Sequence, residues 1–249
     1  MIAALAAGGG RLVAASARSD PLSCHRRLCR GRWLGARERK RGHTVRVTKH
    51  PQSCLVVESA AGSRLLLDPG NFAADALSPA DLGPIDAVLV THRHPDHCDA
   101  RLLDPLREAD IPIVANADAA EVIGEGARVV ADGQRFELAG VDVIAHDLPH
   151  QVMVDGSPGP PNTGFLLDGR LFHPGDGLSL DGVTAPSLTL PIAGPSTSFH
   201  DAYRFAIQLG ASTVIPVHYA MFVADPRLFA DKSGLGDVRV LADGQATQL

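Results

Sequence analysis

The chain has few cysteines and no long apolar run. Only four cysteines are spread over 249 residues, and so few in a chain of this length do not form a disulfide framework. A reducing, cytoplasmic environment fits that usage. No apolar stretch approaches the roughly 20 residues that a membrane-spanning helix needs. With 45% hydrophobic and 20% charged residues, the composition is that of an ordinary soluble globular protein.

Acidic residues are scarce at the start of the chain. Residues 1–43 carry 10 Lys and Arg against 2 acids, whereas residues 44–249 carry 13 against 26. The formal charges are therefore +8 and −13, which sum to −5. A secretory signal, an organelle transit peptide and a nucleic-acid-binding tail are alternatives for such a start. We predict that residues 1–43 form a disordered basic extension and that residues 44–249 form the functional domain.

Short apolar runs bounded by turn residues fill the rest of the chain, and they predict many strands. Helices are predicted over Arg101–Glu108, Ala117–Gly124 and Phe199–Leu209. The early strands follow one another directly, as in a meander, and helices lie between later strands. This order indicates layered α/β or α+β packing in one domain. The predicted strands are Val45–Thr48, Cys54–Ser59, Arg64–Leu67, Ala87–Val90, Ile111–Ala115, Ala127–Val130, Arg135–Leu138, Val141–Ala145, Thr163–Leu167, Arg170–His173, Ser187–Ile192 and Thr213–Val217.

Four candidate metal ligands lie within six residues, directly after an apolar strand: His92, His94, Asp96 and His97. Imidazole and carboxylate groups suit divalent metals. In an extended segment alternate side chains point the same way, so His92 and His94 can reach one metal. If the chain then turns into a helix, Asp96 and His97 swing toward a neighbouring point. Two such clusters suggest two metals, and a solvated polar loop is the alternative.

Three further polar residues follow predicted strands: His150, Asp176 and His218. Functional groups often occupy such places because the strands hold them rigidly. Taken singly, each of these residues is more often structural. Together with the first cluster they provide seven candidate ligands, enough for two metals with open positions.

In this order the residues resemble the metallo-β-lactamase superfamily: His92-x-His94-x-Asp96-His97, a lone histidine, Gly175-Asp176 and a strand-terminal His218. The resemblance covers essentially all of residues 44–249. More narrowly, the segments Leu67–Gly70, Asn162–Phe165 and His173–Asp176 are similar to the ascorbate-6-phosphate lactonase-like branch of metal-dependent hydrolases. The resemblance implies a four-layer αββα sandwich with a dinuclear site at one edge of its two sheets.

The resemblance also implies ligand roles. His92, His94 and His150 would hold the first metal, Asp96, His97 and His218 the second, and Asp176 would bridge them. His146 competes with His150 as the third histidine, and the distance to Asn162 favours His150. His173 is expected to pack or to support the ligands.

One position departs from the pattern of this branch. Gln52 stands where members often have a histidine. We expect this departure to affect the substrate chemistry more than metal binding.

The ligand set and the resemblance predict a metal-dependent hydrolase. Two divalent ions, zinc in preference to manganese or iron, would activate a hydroxide that attacks a small-molecule ester, lactone or phosphoester. Asp96 would handle the proton. The charge of −13 over residues 44–249 opposes a nucleic-acid partner. The alternatives are a phosphodiesterase and, from another class, a non-enzymatic metal-binding sensor or binding module. Assembly into a homo-oligomer is left open.

Overall fold

The computed structural model describes residues 44–249, so the predicted basic extension over residues 1–43 lies outside the described residues. The described strands are β1 (Arg46–Lys49), β2 (Leu55–Glu58), β3 (Arg64–Leu67), β4 (Ala87–Val90), β5 (Ile113–Ala115), β6 (Ala127–Val129), β7 (Arg135–Leu138), β8 (Val141–Asp147), β9 (Thr163–Leu167), β10 (Leu171–His173), β11 (Ser187–Pro191), β12 (Thr213–Val217) and β13 (Ala246–Gln248). The described helices are α1 (Asn71–Ala76), α2 (Ala100–Glu108), α3 (Ala117–Ile123), α4 (Phe199–Gln208) and α5 (Pro226–Ser233). None of these helices has the length and apolar character to cross a bilayer.

The strands form two mixed sheets. The first has the order β13-β1-β2-β3-β4-β5-β6 and the second β12-β11-β10-β9-β8-β7. Strands β3 to β6 run parallel in the first sheet, as do β10 to β12 in the second. Because parallel strands end at the same edge of a sheet, the residues that follow β3 and β4 lie side by side. The residues that follow β10 and β12 also leave their sheet at one edge, with β11 between the two strands.

Alternate side chains of each strand divide between two cores. Leu65 of β3 belongs to the core between the sheets, where Phe165 of β9 faces it from the second sheet. Leu66, the next residue, packs on the other face with Leu102 of α2. The outer face of the second sheet packs against α4 and α5. The layers therefore run helices, sheet, sheet, helices, which confirms the predicted αββα sandwich.

Three short elements were not predicted: α1, α5 and β13. Strand β13 has three residues and is defined by its antiparallel pairing with β1, a contact that local sequence does not encode. Helix α1 has six residues and no side-chain cap. Helix α5 does carry local signals, because Asp225 caps its start, Pro226 opens it and Gly234 ends it in the left-handed conformation.

Candidate metal centre

The predicted ligands come from the ends of strands in both sheets. Thr91 and the residues up to His97 follow β4 of the first sheet. Asp176 follows β10, and His218 follows β12, both in the second sheet. Because β10 and β12 lie in the parallel part of their sheet, Asp176 and His218 leave it at the same edge.

The first group of candidate ligands contains His92, His94, His150 and Asp176, whose ligand atoms all lie within 4.8 Å of one another. His92 Nε2 is 3.2 Å from His94 Nδ1. Asp176 Oδ2 is 3.4 Å from His150 Nε2 and 3.9 Å from His92 Nε2. Three imidazoles and one carboxylate thus converge on one point.

The second group contains Asp96, His97 and His218, again within 4.8 Å. His218 Nε2 is 3.0 Å from Asp96 Oδ2, and His97 Nε2 is 3.7 Å from the same oxygen. Asp176 reaches this group too, because its Oδ1 is 3.3 Å from His97 Nε2 and its Oδ2 is 3.1 Å from His218 Nε2. A single carboxylate therefore faces both groups.

Unpartnered buried atoms show that these residues fit divalent metal ions. Within residues 44–249, seven buried side-chain atoms form no hydrogen bond, and three of them belong to the candidate ligands: His97 Nε2, His150 Nε2 and Asp176 Oδ1. Leaving such polar atoms unsatisfied is unfavourable. All three atoms point into the two groups, and all are of the kinds that bind zinc, manganese or iron.

The electrostatics of the centre also favour positive charge. Burial lowers the pKa of His97, but the carboxylates of Asp176, Asp68 and Asp96 outweigh it and raise that pKa well above its usual range. Burial likewise opposes ionisation of Asp176, yet His218 and His97 hold its pKa well below the usual range. An arrangement that stabilises protons on imidazoles at this point also stabilises divalent cations there.

The histidines of the first group that come from the β4 segment behave differently. Burial lowers the pKa of His92 well below its usual range, and the neighbouring His97 lowers it further. Burial also lowers the pKa of His94. Both imidazoles are therefore neutral near pH 7, and the neutral form is the one that binds a metal.

Asp68 supports the candidate ligands through hydrogen bonds, and it was not predicted from the sequence as a site residue. Its buried carboxylate accepts hydrogen bonds from Thr91 N and Thr91 Oγ1 at 2.8 Å each, from His97 Nδ1 at 2.7 Å and from His173 Nε2 at 2.8 Å. These bonds orient the His97 ring so that Nε2 faces the second group. The available signal was its place directly after β3, in the segment Leu67–Gly70.

Gln52 lies beside the second group. Its Nε2 donates to Asp96 Oδ2 at 3.2 Å, and its backbone oxygen accepts from His218 N at 3.2 Å. Gln52 and His218 both have positive φ, 61° and 58°, a backbone conformation that is unfavourable for residues other than glycine. Strained residues held by several contacts concentrate at functional sites.

Two glycines allow the close approach of backbone that the centre requires. A Cβ on Gly70 would overlap the carbonyl group of Asp96. A Cβ on Gly159 would overlap the imidazole of His150. The segment Gln151–Pro161 therefore packs directly on one of the candidate ligands.

The competing histidine, His146, lies outside both groups. It is part of β8, and its ring is 6.1 Å from that of Phe172. The structure thus brings His150, and not His146, to the first group. His173 bonds Asp68 and Thr189 and is also outside the groups. That these seven residues bind metal stays a prediction.

Similarity to known proteins agrees with this fold and centre. The family model described as Beta-lactamase superfamily domain matches residues 46–218. A Mycobacterium tuberculosis protein named Rv0786c is 31% identical over 191 residues, which cover 74% of this chain and 88% of that protein. A UPF0173 metal-dependent hydrolase of Pyrococcus abyssi is 32% identical over 213 residues, which cover 75% of this chain and 92% of that protein.

Among solved structures, Igni18, a metallo hydrolase from Ignicoccus hospitalis, has a TM-score of 0.68 at 24% identity. The match covers 83% of this chain and 98% of that chain. At this identity the similarity shows the shared fold. By the family match and these relatives, the chain belongs to the metallo-β-lactamase superfamily and, within it, to the UPF0173 metal-dependent hydrolases.

Proposed function

We propose that this protein is a hydrolase that holds two divalent metal ions, zinc in the first instance, and cleaves a small-molecule ester, lactone or phosphoester. One observation carries the proposal: two groups of candidate ligands converge on the shared carboxylate of Asp176. The buried atoms without hydrogen bonds at this point support it. The name metal-dependent hydrolase, which relatives carry, supports the same reaction class.

The proposed ligand assignment follows the two groups, with Asp176 between both ions. The first ion would be held by His92, His94 and His150, and the second by Asp96, His97 and His218. When bound, a metal pair supplies a nucleophile near neutral pH, because it lowers the pKa of a water from about 15.7 toward about 7.

Asp96 is the group that we propose to handle the proton. Its carboxylate lines a cavity above the two groups, where Oδ2 accepts a hydrogen bond from the amide of Gln52. A carboxylate held in this way can accept a proton from the attacking water and deliver it to the leaving group. Because Oδ2 is the oxygen that lies 3.0 Å from His218 Nε2 in the second group, the proton-handling oxygen would be Oδ1.

A carbonyl substrate is preferred over a phosphodiester. Residues 44–249 carry 13 Lys and Arg against 26 acids, so this part of the chain repels a polyanion such as nucleic acid. Phosphodiester hydrolysis uses the same arrangement of metals and is the second candidate. Membership of the lactonase-like branch stays a prediction.

Metal analysis of the purified full chain tests the proposal. We expect about two ions per chain, with a marked loss in Asp176→Ala and a smaller loss in His92→Ala. His146→Ala is the matched control, since His146 lies on β8 outside both groups. Fewer than one tightly bound ion in the unaltered protein would contradict the proposal. Loss of an ion in His146→Ala would contradict the ligand assignment.

Turnover is tested with the metal-loaded protein on esters, lactones, thioesters, phosphodiesters and β-lactams. Hydrolysis of at least one carbonyl class is expected. Hydrolysis of phosphodiesters alone would favour the second candidate. If about two ions are bound and no substrate is cleaved, a non-enzymatic metal-binding module becomes the better interpretation.

A further inference from the structure

A cavity of about 200 Å³ opens above the two groups of candidate ligands, which we call its floor. Five floor residues line it: His94, Asp96, His150, Asp176 and His218. Pockets for drug-sized ligands span about 300–1,000 Å³. The cavity therefore admits a small substrate or one short arm of a larger substrate.

Every other residue that lines this cavity is apolar. These five residues, which we call the rim, are Pro95, Met153, Pro195, Met221 and Phe222. The ring of Phe222 lies 5.5 Å from that of His218, so the rim begins where the floor ends. Met153 and Met221 are two of the three methionines in the chain. Methionine side chains adapt to apolar ligands of varied shape.

The two segments that carry the rim methionines also expose apolar side chains. Val152 and Val154 flank Met153 and are 46% and 86% exposed. Met221 is 52% exposed and Val223 is 91% exposed. Met153 and Met221 themselves line the cavity above the floor, which makes the substrate the occupant that fits.

Within residues 44–249, no cationic side chain lines the cavity. None of the 13 Lys and Arg in residues 44–249 lines it, and neither does any hydroxyl or amide side chain. Arg93, within the histidine motif itself, forms an ion pair with Asp118 at 3.2 Å. Recognition of a phosphate or a polyhydroxylated compound normally uses such donors. The proposed metal ions would bind the reacting group, and beyond them the lining offers apolar contacts and no cationic side chain for a second charged group.

From this lining we infer that the cavity binds a small, neutral aliphatic ester or thioester, whose chain packs on Met153, Met221 and Phe222. The inference rests on the proposed function, because it names the substrate class of that same site. In the reaction, the oxygen of water bonds to the carbonyl carbon and the bond to the alcohol oxygen or thiol sulfur breaks. The leaving group takes one proton, and the products are a carboxylic acid and an alcohol or thiol.

Binding is tested without turnover, by NMR of the metal-loaded full chain labelled at the methionine methyl groups. The probes are 2-heptanone, which cannot be hydrolysed, and acetone, which has the same ketone group without the alkyl chain. Met153→Leu and Met221→Leu assign the two signals. We expect 2-heptanone to shift both signals, and acetone at equal concentration to shift neither. Equal shifts with acetone, or no shift with 2-heptanone, would overturn the inference.

Activity gives an independent test through a cation placed in the rim. Met221→Lys changes a half-exposed side chain, and Val122→Lys, on α3 and 57% exposed, is the matched control. We expect Met221→Lys to lower kcat/KM for p-nitrophenyl hexanoate about tenfold relative to the control, with metal content unchanged. A rise for the neutral ester, or equal effects of both variants, would contradict the inference.

The proposed function and the inferred substrate class can each be contradicted without the other. If phosphate esters are cleaved in preference to neutral esters, hydrolase activity stands and the inferred substrate class is wrong. If 2-heptanone shifts both methionine signals but no ester of any kind is cleaved, the ligand class is supported and the proposed function is wrong.

Discussion

The floor and the rim of the cavity are built in opposite ways. Floor residues are largely buried, and several buried polar neighbours contact each of them. Rim residues are apolar, and the segments that carry them expose valines and Met221 to solvent. Ion pairs and hydrogen bonds among buried polar groups hold the floor, whereas hydrogen bonds of turns hold the rim segments. Under the proposed function, metal binding belongs to the floor and the choice of substrate to the rim.

The position of each part in the fold explains the difference. Floor residues follow β4, β8, β10 and β12, where sheet hydrogen bonds fix the backbone. Much of the rim belongs to the segment after His150 and to the turn after His218, where the backbone bonds are those of turns, such as Met153 N to Ser157 O at 2.9 Å. The side chain of Ser196 also donates from Oγ to Val152 O at 2.8 Å. Changes in the floor should therefore lower stability and metal binding, and changes in the rim should not.

The largest effect is expected for Asp68→Ala. The substitution leaves Thr91, His97 and His173 without their shared acceptor inside the protein. Removing one partner from a buried charged network lowers the free energy of unfolding by about 3–5 kcal/mol. Denaturant unfolding of the metal-free protein measures it, and metal analysis should show weaker binding.

Asp142→Ala is the control for Asp68→Ala. Asp142 pairs with Arg135 at 2.7 Å, with the arginine 70% exposed, so its loss should change stability by less than about 1 kcal/mol. Equal losses of unfolding free energy in the two variants would show that the hydrogen bonds of Asp68 do not support the candidate ligands.

The next effect is expected for Gln52→Leu, which keeps much of the side-chain volume. It removes the amide that donates to Asp96 Oδ2 and the oxygen that accepts from Met221 N at 3.3 Å. A hydrogen bond to a charged group contributes about 1.5–3 kcal/mol. We expect a loss of this size in unfolding free energy and weaker binding of one ion. Unchanged affinity for both ions would mean that Asp96 needs no support from Gln52.

Gly159→Ala is expected to have a smaller effect on stability and a local effect on metal binding. The added methyl group must displace the His150 ring or the segment around it, which costs about 1–3 kcal/mol. Gly236→Ala is the matched control, since a Cβ there meets nothing within 4 Å. Titration with zinc should show weakening of one site in Gly159→Ala and none in the control. Weakening of both sites equally would argue against an independent first group.

Local sequence predicted the floor better than the rim. The four ligands from His92 to His97 lie in one short motif, and the strands that lead to the other three are apolar runs of ordinary length. Asp68 was missed because its role depends on His173, 105 residues later in the chain. Gly159 was missed because its closeness to His150 arises from the path of an irregular loop, which local sequence does not encode.

The rim could not be predicted at all from local patterns. Met153 and Met221 lie in loops without periodicity, and only the fold brings them to one cavity. The elements α1 and β13 were also not predicted, because they are short and depend on packing or pairing with distant residues. The strands of the two sheets were predicted closely, since their apolar runs are buried whatever the connections between them.

The smallest effect is expected for Val223→Gly beside the rim. Val223 has a φ of 53°, which a β-branched residue disfavours, and at 91% exposure its side chain packs against little. Relief of left-handed strain contributes about 1–2 kcal/mol, and the added freedom of glycine offsets about 0.5–1 kcal/mol. Stability should therefore rise by about 0.5–1 kcal/mol, with metal content unchanged. His218 also has positive φ, but it bonds the backbone oxygen of Ala193 and contacts Asp96 and Asp176. His218→Gly should therefore lower both stability and metal content. If Val223→Gly loses metal as His218→Gly does, floor and rim are not separate.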